Sequence, residues 1–560
     1  MGLKFSDFLK TNYRTLASWI SKNWKVSLCI LLMLLLTIHS FVFKIRMISV
    51  NMPYSCHNDE KYIIEPALNI LKTGDFNPHS FRYPSLPIYL AAMSFTVGFL
   101  NAAANLELKS TDFIEPSVYP YFKQHGIIWP AKVLFALLST LSVLFMALLA
   151  YKLYRNPFLL FGVPLVISLS FNYFLISYNY LNVDTVGTFF IFLVYLHHGF
   201  YLKECSFFHK VLIPGILSGL AVACKYNLVW IIVPSILIIL FYTKERRIRK
   251  IISLFLIMFV TFILVVPFSV LDFSTFLDWL AHDIYIYKTD DSIHGILPGL
   301  PQLVHYLGYL YEDFGFLLCI LAIFGIVDLL MKDWKKGLIL LSFPLIHLLH
   351  LSLYTIQYSR NVLALFGFFS IFAAIGMVRL YQLLYQLFLK LSFPRWGEVM
   401  KKSTVVFLLV VALIFPAKAK FEKLLRQKPD SRNMALQWIK NNLEKKSNII
   451  IAMELAMYTE PLKKDYNLFL WEFKNLDRES FYKNVSTVEN PIILMPVFRP
   501  LYERQLYAKK QASALNKIGE SLITKKILGQ RKAILNSPRH VIGKDPKILI
   551  GTLKNQKRER

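Results

Sequence analysis

Adjacent acids, Asp59 and Glu60, stand in a conspicuously polar stretch, Ser55 to Leu90, of an otherwise apolar chain. A carboxylate held beside a membrane surface can take a proton from a hydroxyl, and the same pair can instead cap the helix that begins at Lys61. The stretch continues as a helix-like segment ended by Gly74 and closes on Arg82, Tyr83 and Pro84. Further on, single ionisable residues sit at the ends of apolar runs: Asp184, Lys225 and Arg360, with a loop carrying Asp290, Asp291 and His294. Each has a plainer role open to it. Asp184 can cap the helix that follows, Lys225 and Arg360 can snorkel to lipid headgroups, and His294 can be an ordinary loop residue. Convergence is what raises the set above those readings, because ionisable groups at span ends that share one membrane face mark functional sites.

The elements that must bring them together are membrane helices. Of 560 residues, 55% are hydrophobic and 15% aromatic, and mean hydropathy is +0.46, which excludes a soluble enzyme of ordinary composition. The formal charge of +28 comes from basic residues scattered at the ends of apolar runs, where they set topology, so a nucleic-acid partner is rejected. The five cysteines show no CxxC spacing, and only Cys56 and Cys224 are placed to meet outside the membrane. Val26 to Phe43, 18 apolar residues after a basic N-terminal stretch, reads as an uncleaved anchor that leads to the acidic pair on the far side.

Pro87 to Leu100 is apolar for only 14 residues, short for a crossing, and reads as a helix at the surface. Further spans are expected near Pro130–Ala150, Phe158–Tyr178, Val186–Tyr201, Val211–Ala223, Leu228–Tyr242, Ile251–Val270, Phe314–Met331, Leu338–Leu353, Val362–Val378 and Thr404–Phe415, eleven in all. The loops this count assigns to the cytoplasm hold the basic clusters, Lys244 to Lys250, Lys332 to Lys336 and Arg379 to Lys402, whereas the outer loop Leu271 to Glu312 is acidic. Residues 1–416 thus form a transmembrane domain, with 44–129 as its first outer loop. Residues 417–560 read as a small extracytoplasmic α/β domain, with a helix from Asp430 or Ser431 to Leu443 and buried strands at Asn448–Ala452 and Pro491–Val497.

An outer-face site restricts the chemistry. A transferase working there needs a donor that has already crossed, and a lipid-linked one is the natural choice. Its phosphate would need cations in a low-dielectric setting, which Lys225, Arg360 and Arg82 offer. A phosphate already leaves well, so one base suffices.

The run DE, then LKTGDFNP, then F-x-YPSLPIYL resembles the first extracytoplasmic loop of the GT-C glycosyltransferases of family 39, which include protein O-mannosyltransferases and the transferase that adds aminoarabinose to lipid A. Four features match in order: Asp184 in YNYLNVDTVGTFF, Lys225 in GILSGLAVACKYN, the loop DDSIHG with His294, and Arg360 in QYSRNVLALFGFFSIFAAIG. The resemblance implies that Asp59 is the catalytic base, Glu60 its neighbour and Asp184 a second acid, with Lys225 and Arg360 on the donor phosphate and Arg82, Tyr83 and His294 at the substrate. It also implies a surface helix at Pro87 to Leu100. The sequence departs from the family in Pro84-Ser85, where a double proline is usual, and Asp184 lacks the DxD form of the metal-dependent oligosaccharyltransferases, so no essential metal and no cofactor are expected.

The expectation is therefore a polytopic α-helical protein of the GT-C fold. It would move a sugar, with inversion, from a polyprenyl-phosphate donor to a lipid, glycan or protein acceptor outside a bacterial inner membrane. Two rivals stand: a transporter or flippase, which calls for repeated halves and mid-membrane charges that the sequence lacks, and a catalytically silent GT-C-like subunit.

Overall fold

The computed structural model describes residues 22–52, 57–106, 110–114, 116, 125–204, 206–289 and 296–390, together with 413–414, 417–418, 420, 431–452 and stretches between 455 and 553. The first apolar run forms α1, Trp24–Asn51, and the acidic pair follows in a short 3-10 turn, Asn58–Glu60. Next is α2, Lys61–Thr73, which buries Ile63, Ile64, Ala67, Leu68 and Ile70 at helical spacing and is ended by Gly74 in left-handed geometry, φ 74°, as the glycine there requires. Then come α3, Leu86–Ala104; α4, His125–Tyr154; α5, Phe158–Leu169; α6, Phe171–Asn179; and α7, Val183–Tyr201. A π turn at Phe208–Leu212 leads into α8, Ile213–Val222, and a 3-10 turn at Tyr226–Ile231 into α9, Ile232–Tyr242. The helical region is completed by α10, Arg247–Val265; α11, Phe273–Thr289; α12, Leu300–Lys332; α13, Trp334–Ser352; and α14, Leu363–Lys390.

Among the described residues seven helices are long and apolar enough to cross a membrane, or eight if α5 and α6, bent by 78°, count as one span. Six of the seven coincide with expected crossings. The seventh by that measure of length and composition is α3, at the expected surface helix Pro87–Leu100: it runs 19 residues because the lone Asn101 is followed by Ala102–Ala104, good helix formers that carry it on. Four of its buried residues, Ile88, Ala91, Ala92 and Phe95, join one cluster with α2, the first half of α4 and the start of α7. The expected single span Phe158–Tyr178 is broken at Ser170, whose side chain accepts the Tyr173 N–H at 3.0 Å and starts a new helix. Expected spans at Val211–Ala223 and Leu228–Tyr242 form shorter apolar helices, Leu338–Leu353 falls on α13 up to its end at Ser352, and Thr404–Phe415 falls almost wholly outside the described residues.

The axis of the bundle is α14, whose membrane segment is fully buried. It packs on α12 with backbones nearly touching: a Cβ on Gly325 would lie 2.0 Å from the Phe372 carbonyl oxygen, and one on Gly376 1.9 Å from that of Leu321. Such close packing fixes the end of α14, and Arg360 stands just before it. Basic residues gather at the opposite end, where Arg379 and Lys332 both meet Asp328. Charge asymmetry read along the sequence is thus a separation in space.

In the C-terminal region α15, Ser431–Asn442, and strands β1, Asn448–Ala452, and β3, Ile492–Pro496, match the expected helix and strands, while β2, Asn467–Trp471, was not expected. With β5, Leu522–Leu528, and β8, Ile548–Leu553, they form a five-stranded sheet in the order β2-β1-β3-β8-β5. The first three strands are parallel and β8 pairs antiparallel to both β3 and β5. The strands β4, Phe498–Pro500, β6, Ala533–Ser537, and β7, His540–Ile542, form a second sheet. Ile449, Ile451, Leu494 and Ile550 pack with Ile439 of α15 into a separate apolar core.

Candidate active site

The polar loop is pinned from below before it presents anything. Glu60 is 0% exposed; its Oε1 pairs with Lys132 Nζ at 2.8 Å and accepts the Leu181 N–H at 3.0 Å. Loop and helices are also tied by the Leu86 N–H to the Ala223 carbonyl, 3.2 Å, and by the Tyr226 hydroxyl to the Phe81 carbonyl, 3.0 Å. Lys132 was missed in the sequence reading. Its signal was a lysine inside the apolar run of α4, a place where charge persists only with a partner.

Asp59, by contrast, turns to Arg360. Its Oδ2 pairs with Arg360 Nη1, accepts the Tyr83 hydroxyl at 3.3 Å and lies 3.7 Å from His57 Nδ1. All these contacts use Oδ2, so Oδ1 has no partner among the described residues. Burial pushes the Asp59 carboxyl up, but Arg360, His57 and Arg82 together with the Tyr83 hydrogen bond outweigh it and hold it below the ordinary carboxylate value. His57 stacks on Tyr180 with ring centres 4.4 Å apart and approaches Arg360 Nη1 at 3.2 Å. Its pKa is lowered to about 4 by burial and then by Arg360, so this imidazole is neutral at physiological pH.

The second acid is freed from capping by a neighbour. Asn182, and not Asp184, caps α7, its Oδ1 accepting the Thr185 N–H at 2.8 Å, which corrects the capping alternative. Asp184 instead pairs with Lys225: Nζ lies 2.6 Å from Asp184 Oδ1 and 2.8 Å from Asn361 Oδ1. Asp184 Oδ2 is buried without a hydrogen-bond partner, with Arg360 Nε 3.9 Å away. Asn361, unlike Lys132, carried no signal in the sequence; it is held by the Tyr306 hydroxyl at 3.3 Å and by His347 Nε2 on its carbonyl at 3.1 Å.

Four of the expected residues, Asp59, Asp184, Lys225 and Arg360, therefore form one chain of alternating charge. Tyr83 touches it through Asp59. Arg82 donates to the Tyr62 hydroxyl at 2.9 Å and lies over that ring, facing Asp59 and Asp283 electrostatically. Asp283 on α11 is raised to about 6, chiefly by burial, with Arg82 opposing and Asp59 adding to the rise. Glu60 belongs to the support beneath. Asp290, Asp291, His294 and Cys56 lie outside the described residues, while Cys224 is a buried free thiol. Among the described residues no three His, Cys, Asp or Glu side chains come together as metal ligands.

Apolar spans and a charged cluster at one end of them define an integral membrane protein with a polar site at the membrane boundary. Among solved structures the chain is similar to ArnT from Cupriavidus metallidurans in the apo state, at 12% identity and a TM-score of 0.46, covering 95% of this chain and 98% of that one. The same protein bound to undecaprenyl phosphate is similar at 11% identity and a TM-score of 0.44, covering 93% and 97%. An oligosaccharyltransferase from Archaeoglobus fulgidus, tethered with an acceptor peptide, is similar at 12% identity and a TM-score of 0.44, covering 92% of this chain and 74% of that one. These are GT-C glycosyltransferases, the class that the motifs resemble. No family model and no curated protein matches the chain. At such identities and scores the chemistry has to be read from the site itself.

Proposed function

We propose that the protein is a membrane glycosyltransferase that moves a sugar, with inversion, from a polyprenyl-phosphate donor to a hydroxyl acceptor on the extracytoplasmic face, with Asp59 as base. The observation that carries this is the pairing of a base with a cation that a phosphate would also want: Arg360 holds Asp59 Oδ2, while Oδ1 has no partner among the described residues. In the reaction the acceptor O–H gives its proton to Asp59 and its oxygen attacks the anomeric carbon. The bond from that carbon to the phosphate oxygen breaks, and the polyprenyl phosphate leaves with the electron pair. Lys225 and Arg360 take up the charge on the leaving phosphate.

Sharing Arg360 couples the two halves. A bound phosphate draws Arg360 charge away from Asp59, so the carboxylate becomes more basic when donor is present. Asp184 holds Lys225 in place when the site is empty, and its Oδ2, without a hydrogen bond, is a ready acceptor for an acceptor or sugar hydroxyl. Lys225 retains one ammonium N–H beyond its bonds to Asp184 and Asn361.

The test is lipid extraction of the purified protein and mass spectrometry of what copurifies, followed by turnover with that lipid and with membrane extracts as acceptor. A polyprenyl-phosphate sugar that is consumed to polyprenyl phosphate is the expected result; a lipid-linked glycan that only changes leaflet returns the flippase reading. Reporter fusions after Lys428 are expected on the same, non-cytoplasmic side as the Asp59 loop. A cytoplasmic signal there removes the outer-face donor argument.

A further inference from the structure

At the end of the bundle away from Asp59, the ends of α4 and α12 and the start of α13 enclose a cavity of about 380 Å³ lined by Tyr154, Arg155, Asn156, Lys332, Asp333 and Lys336. Lys132, which carries Glu60, lies 23 residues before Arg155, or about 35 Å at the helical rise. This cavity is therefore separate from the proposed donor site.

Its wall is ionic. Asp328 takes Arg379 Nε and Lys332 Nζ, each at 2.9 Å, and the Tyr154 hydroxyl at 2.5 Å, which ties α4, α12 and α14 together. Lys336 pairs with Asp333 at 2.7 Å. Arg155 has no ion pair among the described residues. It closes α4 in left-handed backbone, φ 57°, its N–H on the Tyr151 carbonyl at 2.8 Å. Glycine fills that position freely, whereas arginine does so at a cost of about 1 kcal/mol. Four cations, Arg155, Lys332, Lys336 and Arg379, thus face two carboxylates, Asp328 and Asp333, and the unpaired cation is the one whose fork of donors suits a phosphate.

The depth of the cavity identifies the occupant. Met331 and Trp334, on either side of Lys332 and Asp333, are 83% and 52% exposed. Exposed tryptophan on a membrane bundle sits at headgroup level, and basic pockets between helices at that level hold anionic headgroups. We propose that this cavity binds a phosphate group, supplied by an anionic phospholipid headgroup, with Arg155 and Lys336 as its ligands.

The experiment uses the full chain in phosphatidylcholine nanodiscs titrated with phosphatidylglycerol and, separately, with inorganic phosphate, read by native mass spectrometry and by the shift in unfolding temperature. Saturable phosphatidylglycerol binding is expected, weakened at least about tenfold by Arg155→Gln and by Lys336→Gln and unchanged by Lys244→Gln, an exposed lysine outside the cavity. If Arg155→Gln does not fold, Lys336→Gln reads the same contact. Saturable, variant-sensitive binding of inorganic phosphate that excludes the lipid keeps the phosphate site and overturns the lipid as its source. Equal weakening in all three variants, or no saturation by either probe, means general surface attraction and overturns the proposal.

Discussion

Asp59→Asn separates a base from a structural carboxylate, because the two make opposite statements about donor binding. The amide keeps the size and the Tyr83 contact but cannot take a proton. General-base catalysis contributes about a hundred- to ten-thousandfold, equivalent to about 2.7 to 5.4 kcal/mol of barrier, so kcat is expected to fall in that range. Arg360 is not stranded by the change: His57 remains at 3.2 Å and Asp184 Oδ2 at 3.9 Å, so the loss of stability stays under the roughly 3 to 5 kcal/mol of a broken buried pair. Released from Asp59, the guanidinium turns wholly to the phosphate. Affinity for polyprenyl phosphate is then unchanged or tighter, by up to about tenfold. The assay has two arms, release of polyprenyl phosphate from the copurifying donor at saturation and calorimetric binding of polyprenyl phosphate to the same preparation. A kcat within tenfold of the parent refutes the base, and a fall in lipid affinity that parallels the fall in kcat refutes the shared arginine.

Lys225→Met and Arg360→Met are each expected to lower polyprenyl phosphate affinity about ten- to a hundredfold, from the loss of one charge-assisted bond worth about 1.5 to 3 kcal/mol; Arg360→Lys recovers only part, and unchanged binding in both methionine variants takes these residues out of the site. Lys132→Met leaves Glu60 buried without its ion-pair partner and is expected to cost about 3 to 5 kcal/mol in thermal unfolding, with part regained in the double variant Lys132→Met with Glu60→Gln; equal losses in the single and double variants would show that the pair is not the cause. Asp283 has its pKa raised to about 6, so its ionised form opposes folding and the stability it contributes at low pH is lost as pH rises through that value. Asp283→Asn should therefore raise the unfolding temperature at pH 7.5 and do so less at pH 5; a gain that does not shrink on acidification contradicts a buried carboxyl there.

Much of this molecule was legible along the chain because hydropathy and helix punctuation are local. Apolar runs required membrane helices, Gly74 marked the end of α2 through its left-handed backbone, and alternation of basic and acidic loops put Asp59, Asp184, Lys225 and Arg360 on one end. The start of α15 and the strands β1 and β3 were likewise readable from short apolar runs between polar residues. What stayed hidden depends on which helix ends pack side by side. No local signal says that Asp59 meets Arg360, some 300 residues later, or that Glu60 goes to Lys132 and so becomes support while its neighbour joins the charged cluster. Nor does the sequence order of Asn182 and Asp184 decide which of them caps α7. That choice was made when Lys225 arrived beside Asp184, because a buried ammonium leaves a nearby carboxylate no cheaper partner than itself.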